Sequence, residues 1–257
     1  MQIREITQEE ITQRELDEAL DRHKRRLRFN STSRIEYLGG NKTMFELRRV
    51  SKLEMFIILR AHRKWLQTRH TLTPKGMHAY LCLKDLRSFN LSNVLLPYAN
   101  LEGADLSGVD LRGANLSHSN LSHANLSGAN LSDANMNNAK MYETDLSNAY
   151  LKNARLNEAN MEYANLQDAN LSYTDLRMCN LSDANLNKAN LNFATISGAN
   201  LEFANLQEAN LCYAILSGIK MAKADFKGTN LYGTIFDKPF SSFDIDLFKS
   251  NVDPRDD

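Results

Sequence analysis

The sequence predicts a mainly β solenoid, a tower of short extended segments joined by corners, with a helical region ahead of it and a short appendage behind. Three observations predict it. From Ala79 to Asp237 every fifth residue is apolar without a slip, from Leu81, Leu86 and Leu91 through to Phe236. The residue two places before each of these centres is mostly Ala. Neither regularity is present in residues 1–78, where apolar residues recur at the spacing of a helix face.

The chain has 257 residues, 42% hydrophobic and 24% charged, enough to bury a core and stay in solution. Its formal net charge is zero but unevenly spread. Residues 1–78 hold 17 Lys/Arg against 10 Asp/Glu, residues 79–236 hold 11 against 15, and residues 237–257 hold 3 against 6. A basic head thus precedes a mildly acidic body. Cys82, Cys179 and Cys212 show neither ligand spacing nor a pairing pattern, which fits a reduced compartment. The start, "MQIREITQEE", lacks the apolar core of a signal peptide, and no apolar run reaches the length of about 18 residues that would cross a membrane. A cytoplasmic protein without a transmembrane segment is expected.

Residues 1–78 read as a helical, basic extension that caps the tower. In "ITQEEITQRELDEALDRHKRRLRF", Ile11, Leu16, Leu20 and Leu27 fall near one helix face, and Thr7 with Glu10 and Thr12 with Glu15 match a capping box. "FNSTSRIEYLGGNKT" reads as a loop with Gly39 and Gly40 at a turn. A second helix runs through "SKLEMFIILRAHRKWLQTRH", and Pro74 and Gly76 end it at the junction with the tower. Its apolar part, with Phe56, Ile57, Ile58 and Trp65, suits it to cover the first coil, whose bare end would offer unpaired backbone groups.

In the tower, residues 79–237, inward positions are separated by 2 and then 3 along the chain. A separation of 2 is the strand rule, and the extra residue must turn a corner. There are 32 centres, all apolar. The core is expected at Leu101, Leu106, Leu111, Leu116, Leu121, Leu126, Leu131, Leu146, Leu151, Leu156, Leu166, Leu171, Leu181, Leu191 and Leu201. One buried Leu contributes about 2–3 kcal/mol, whereas ordering five backbone residues costs about 5–10 kcal/mol. A unit cannot stand alone, so stacking of coils about 4.8 Å apart must supply the rest. The Asn or Asp before each centre is expected to bond backbone at the corner. Gly103, Gly108, Gly113 and Gly128 fall at outward positions, where nothing needs packing. Outward residues suggest the coil length: Glu follows a centre at Glu102, Glu162 and Glu202, and residues 161–176 resemble residues 201–216. Both fit 20 residues per coil, and also 10 or 40. At 20, the units make eight coils.

The units "ANLSG", "ADLSG" and "ANLSD" match A-(D/N)-L-x-x, and the chain closely resembles the pentapeptide-repeat family over about 158 residues. The resemblance implies a right-handed quadrilateral parallel β-helix with four faces per coil, in agreement with 20 residues. Leu20-x-x-His23-x-x-x-Leu27 and Leu59-x-x-His62-x-x-x-Leu66 resemble a short helix found ahead of some such tracts. Only the second carries the Trp, Trp65.

The appendage, residues 238–257, contains Phe240, Phe243, Ile245, Leu247 and Phe248 before an acidic tail. These form either a lid on the last coil or a homodimer interface about a two-fold axis.

No catalytic constellation, metal-ligand spacing or cofactor motif is present, so no enzyme activity, cofactor or metal is expected. His118 and His123 fall at exposed positions on neighbouring faces. On a four-unit coil Tyr173, Phe193 and Tyr213 share one column, Tyr163 and Phe203 lie on the opposite face with Asp183 between them, and Asp168, Lys188 and Glu208 occupy the face between. Stacked rings would cover the coil edges; alternatively, Tyr163, Asp168, Tyr173, Phe193, Phe203, Glu208 and Tyr213 form a partner surface. The resulting expectation is a non-enzymatic scaffold that binds an unidentified protein partner and does not bind nucleic acid directly. The alternative, drawn from the resemblance, is a DNA-mimicking modulator of DNA gyrase of the quinolone-resistance type. A tower net charge of only −4 weighs against it.

Overall fold

A computed structural model describes residues 47–236. The expected first helix and its capping boxes, the loop at Gly39 and Gly40, and the appendage with Phe240, Phe243, Ile245, Leu247 and Phe248 lie outside them.

Coil length is settled by pairing. Parallel bridges join corner residues 20 apart, from Tyr80 with Asn100 to Ile215 with Ile235, with Asn90 and Asp110 the one unbridged pair among them. Four units therefore make a coil, and the tower is a right-handed quadrilateral parallel β-helix. Coils 1 to 8 begin at Ala79, Ala99, Ser119, Ala139, Ala159, Cys179, Ala199 and Ile219. The first face carries the centres at Leu81, Leu101 and so on; the second begins at Leu86, the third at Leu91 and the fourth at Leu96. All fifteen expected core leucines are at most 1% exposed.

The opposing demands of the five-residue unit are met by one repeated set of hydrogen bonds. At Leu121 the centre's N–H donates to the Lys140 carbonyl of the next coil (2.7 Å), and the Lys140 N–H donates back to Ser119 (2.9 Å). The Ala124 N–H donates to the Leu121 carbonyl (3.0 Å) and closes the corner as a four-residue turn. The third residue of that turn, two after the centre, has φ between 52° and 73° in every unit from Asn93 to Gly233. This corrects the reading of the outward glycines. Gly103 and its counterparts serve a left-handed backbone position, which is what glycine adopts without strain.

Asn or Asp before the centre does bond the corner: Asn130 Oδ1 accepts from the Ser132 N–H at 3.1 Å and Asp145 Oδ1 from the Ser147 N–H at 3.0 Å. At Asn130 the Ser132 hydroxyl donates to the same oxygen (2.8 Å), which explains the frequent Ser after a centre. Asn amides also run up the tower, as from Asn185 to Asn165 Oδ1 (3.1 Å) and Asn205 to Asn185 Oδ1 (3.3 Å). Where Thr replaces Ala, the buried hydroxyl is satisfied: Thr144 donates to the Leu121 carbonyl at 2.9 Å and Thr174 to Leu151 at 3.0 Å.

Beneath the first coil lies a rung the sequence reading did not anticipate. Strand β1, Arg48–Arg49, pairs in parallel with β2, Lys84–Asp85. Helix α1, Lys52–Thr68, follows at once, with Ser51 as its N-cap accepting the Glu54 N–H at 3.1 Å. Val50, Met55 and Ile58 join the same apolar cluster as Leu81 and Leu86, so α1 lies on the base of the tower. Ile57 is buried outside that cluster, and Phe56 and Trp65 are half-buried. Past Thr68 the chain folds back: the Lys75 N–H donates to Thr68 Oγ1 (2.8 Å) and the Met77 N–H to the Ala61 carbonyl (3.3 Å). A Cβ on Gly76 would run into that carbonyl, and its φ is +82°. The cap is pinned from within by His62, fully buried, whose Nδ1 accepts the Ala79 N–H at 2.9 Å.

Candidate surface for a partner

Four-fold winding sorts the outward residues into columns, and it divides the expected partner surface into three. Tyr173, Phe193 and Tyr213 form one column on the third face, with ring centroids 4.9 and 5.1 Å apart and planes within 10°. Tyr232 meets Tyr213 edge-on at 5.5 Å, and the Lys152 ammonium lies 5.7 Å from the Tyr173 ring at the lower end. These rings present edges, because their faces are spent on one another. Tyr163 and Phe203 lie on the opposite, first face, and Asp168 and Glu208 on the second. One rigid partner can therefore touch Tyr163, Phe203, Asp168 and Glu208 together, but not the stacked column as well.

Charge follows the same division, and this the sequence reading missed. Between residues 100 and 219 the first and second faces carry nine carboxylates and two lysines, a net of −7. Over the same residues the third and fourth faces carry four carboxylates and four basic side chains. On the neutral side the charges are largely self-paired. Arg112 and Arg177 hold Asp110 and Asp175 at 2.7 and 2.6 Å, and the guanidinium hydrogen bonds keep both carboxyls below the usual range. On the acidic side Glu143 meets His123 at 3.2 Å, Glu208 meets Lys188 at 3.7 Å and Asp105 meets Arg87 at 3.3 Å. Glu102, Asp145, Glu162, Asp168, Asp183 and Glu202 have no cation within 4 Å among the described residues. The signal was available: summing charges down columns at a period of 20 reveals it, whereas summing along the chain hides it.

His118 stacks on Tyr98 at 4.7 Å, and His123 packs on Tyr142 at 5.6 Å. Among the described residues no group of three or more His, Cys, Asp or Glu converges as metal ligands, and no helix is long and apolar enough to cross a membrane. Cys82, Cys179 and Cys212 are free. Burial pushes the Cys179 thiol up to about 12, and its Sγ donates to the Leu156 carbonyl at 2.8 Å.

The family model of pentapeptide repeats matches in 8 copies between residues 85 and 238. No curated protein matches the chain. Among solved structures, the chain is similar to HetL, a pentapeptide repeat protein involved in heterocyst differentiation regulation in the cyanobacterium Nostoc sp. strain PCC 7120. Identity is 31%, with 64% of this chain and 86% of that chain covered and a TM-score of 0.31. It is also similar to a pentapeptide repeat protein of the Arabidopsis thaliana thylakoid lumen, at 28% identity over 60% and 83% of the two chains (TM-score 0.33). Likeness to QnrB1, a plasmid-mediated fluoroquinolone resistance protein, is 19% identity over 67% and 97% (TM-score 0.39).

Proposed function

This chain belongs to the pentapeptide-repeat family, and we propose that it is a non-enzymatic scaffold that binds a protein partner through the first and second faces of its tower. The observation that carries this reading is the segregation of charge, with six carboxylates that have no cation within 4 Å among the described residues, beside the exposed rings of Tyr163 and Phe203. A regular backbone holds these groups at fixed spacing, and apart from Asp145, which also bonds its corner, none of them stands at a corner position, so they are free to serve recognition. The stacked column of Tyr173, Phe193 and Tyr213 is assigned to covering coil edges, worth about 0.5–1.5 kcal/mol per ring pair. Three free thiols support a reduced, cytoplasmic setting.

The DNA-mimic alternative is weighed by charge density. Six coils at about 4.8 Å span about 29 Å, over which B-DNA carries about 17 charges. The acidic side has a net of −7, less than half of that. The test is affinity capture from native cells with three baits: wild type, Glu162→Lys with Asp183→Lys, and Phe193→Ser with Tyr213→Ser. Partner recovery is expected to fail with the charge-reversed bait and persist with the ring-truncated one. The opposite pattern would move the interface to the third face.

A further inference from the structure

We propose that the first face over coils 4 to 7 is a docking strip for a cationic helix of a protein partner. This rests on the scaffold reading above and names the partner's chemistry. Each of these four coils presents one carboxylate on this face: Glu143, Glu162, Asp183 and Glu202. The carboxylate stands alternately two residues and one residue after the centre, so the four zigzag as they climb. The vacated positions are filled by Tyr142, Tyr163, Ser182 and Phe203, which makes a checkerboard of acid and mostly aromatic side chains.

The geometry selects a helix. Basic residues at i, i+4, i+7 and i+11 point about 0°, +40°, −20° and +20° around a helix axis, so they also alternate from side to side. Their rise from first to last is about 16.5 Å, against about 14 Å for three coil steps. A mismatch of about 2 Å is within the reach of Lys and Arg side chains. An extended strand with every second residue basic climbs about 20 Å over three steps and projects in a straight line, so it loses register. The sign of the charge excludes nucleic acid.

The strip's two ends already show the chemistry it accepts. At the lower end His123 lies 3.2 Å from Glu143. At the upper end the Lys223 ammonium lies 4.8 Å from the Phe203 ring, a cation–π contact. Lys140 and Lys220 flank the same two ends. Between them, among the described residues, Glu162 and Asp183 have no cation within 4 Å; Glu162 has only the Asn180 amide, at 3.4 Å. Partner cations fit at these two central carboxylates, with Tyr163, 48% exposed, between their stems.

The test uses the full chain and two fluorescent alanine- and glutamine-based peptides of identical composition, read by anisotropy. One carries arginines at i, i+4, i+7 and i+11; the other carries them at i, i+2, i+4 and i+6. The first is expected to bind at least about tenfold more tightly, and its affinity to fall as salt rises. Glu162→Gln with Asp183→Asn is expected to weaken it about tenfold, about 1.4 kcal/mol, while Asp133→Asn on the third face leaves it unchanged. Equal affinity for the two peptides, or indifference to the Glu162 and Asp183 changes, overturns the inference. If the charge-reversed bait loses its partner in cells but the first peptide neither binds nor competes, the helix assignment fails alone. If that bait keeps its partner, the scaffold reading of this face fails with it.

Discussion

Replacing His62 by Asn tests how the cap is tied to the tower. The His62 ring is fully buried, and its Nδ1 accepts the Ala79 N–H at 2.9 Å, so the proton of the neutral ring sits on Nε2, which makes no well-formed hydrogen bond. Burial first, and then His78 nearby, lower its pKa from 6.5 to about 4 against the opposing pull of the Pro97 carbonyl. A base whose pKa is depressed by folding contributes full stability above the unfolded value of 6.5. That contribution drains away as pH falls toward 4, and below 4 nothing further is lost. The two pKa values lie about 2.5 units apart, and at 1.36 kcal/mol per unit the loss is about 3 kcal/mol. Trp65, the single tryptophan, stacks on His62 at 5.7 Å and reports this region. Urea titrations followed at Trp65 should lose more than about 1 M in midpoint between pH 7 and pH 4. Asn keeps an acceptor for Ala79 but cannot be protonated. His62→Asn should therefore be less stable at pH 7, by about 1–3 kcal/mol for the lost ring, and nearly flat across the same window. Carboxylates held by arginine, such as Asp85 at about 2, act at lower pH and cancel in the comparison. Parallel pH profiles for wild type and variant would refute the argument.

Four further outcomes are expected. Leu151→Ala leaves a cavity in a column with no exposure and should cost about 3 kcal/mol, while Leu151→Asp adds a buried charge and should prevent cooperative unfolding; thermal melts by circular dichroism check both. Glu158 has φ +58°, so Glu158→Ile should fall about 2 kcal/mol below Glu158→Gly in denaturant stability, because a β-branched residue is strained there, although surface changes elsewhere are nearly neutral. Alkylation at pH 8 read by mass spectrometry should label half-buried Cys212 in the folded protein, and Cys82 and Cys179 only after unfolding, since burial raises both of their thiols. Removing residues 1–78 uncovers Leu81 and Leu86 and the open edge of the first coil, and light scattering should show aggregation where the full chain is dispersed.

The tower was legible because its rules are local and repeated. A Leu every five residues with Ala two before it admits one packing, and Asn130 bonds its corner as Asn residues do in any turn. Three things escaped. The coil length needed either pairing or the family resemblance, since Tyr80 with Asn100 is invisible in a register that fits 10, 20 and 40 equally. The role of the outward glycines was misread because Gly, Asn, Asp, Glu and Tyr all occupy the same left-handed position. Once cooperative stacking over 20-residue coils is established, a local strain of about 1–2 kcal/mol per residue is overridden, and composition no longer reveals the backbone. Strand β1 was missed because two arginines carry no apolar alternation.

The same independence of core and surface explains why the candidate site was harder to read than the fold. Exchanging Glu162 with Tyr163 would leave Met161 and Ala164 in place, each at most 1% exposed, so stability does not dictate the order of the two. It does dictate that both face outward, and winding then places whatever stands 20 residues away directly above. Information for a partner is thus written at a stride of 20 through a chain whose stability is written at a stride of 5. The stacked rings keep that stride at 20, the acidic strip alternates between 19 and 21 about it, and the two begin at different phases. A column belongs to recognition rather than support when its charges are left without counter-charges of their own. Tyr173, Phe193 and Tyr213 are spent on each other, whereas Glu162 has only the Asn180 amide and neither it nor Asp183 has a cation within 4 Å among the described residues. That difference, and not exposure alone, selects the first face.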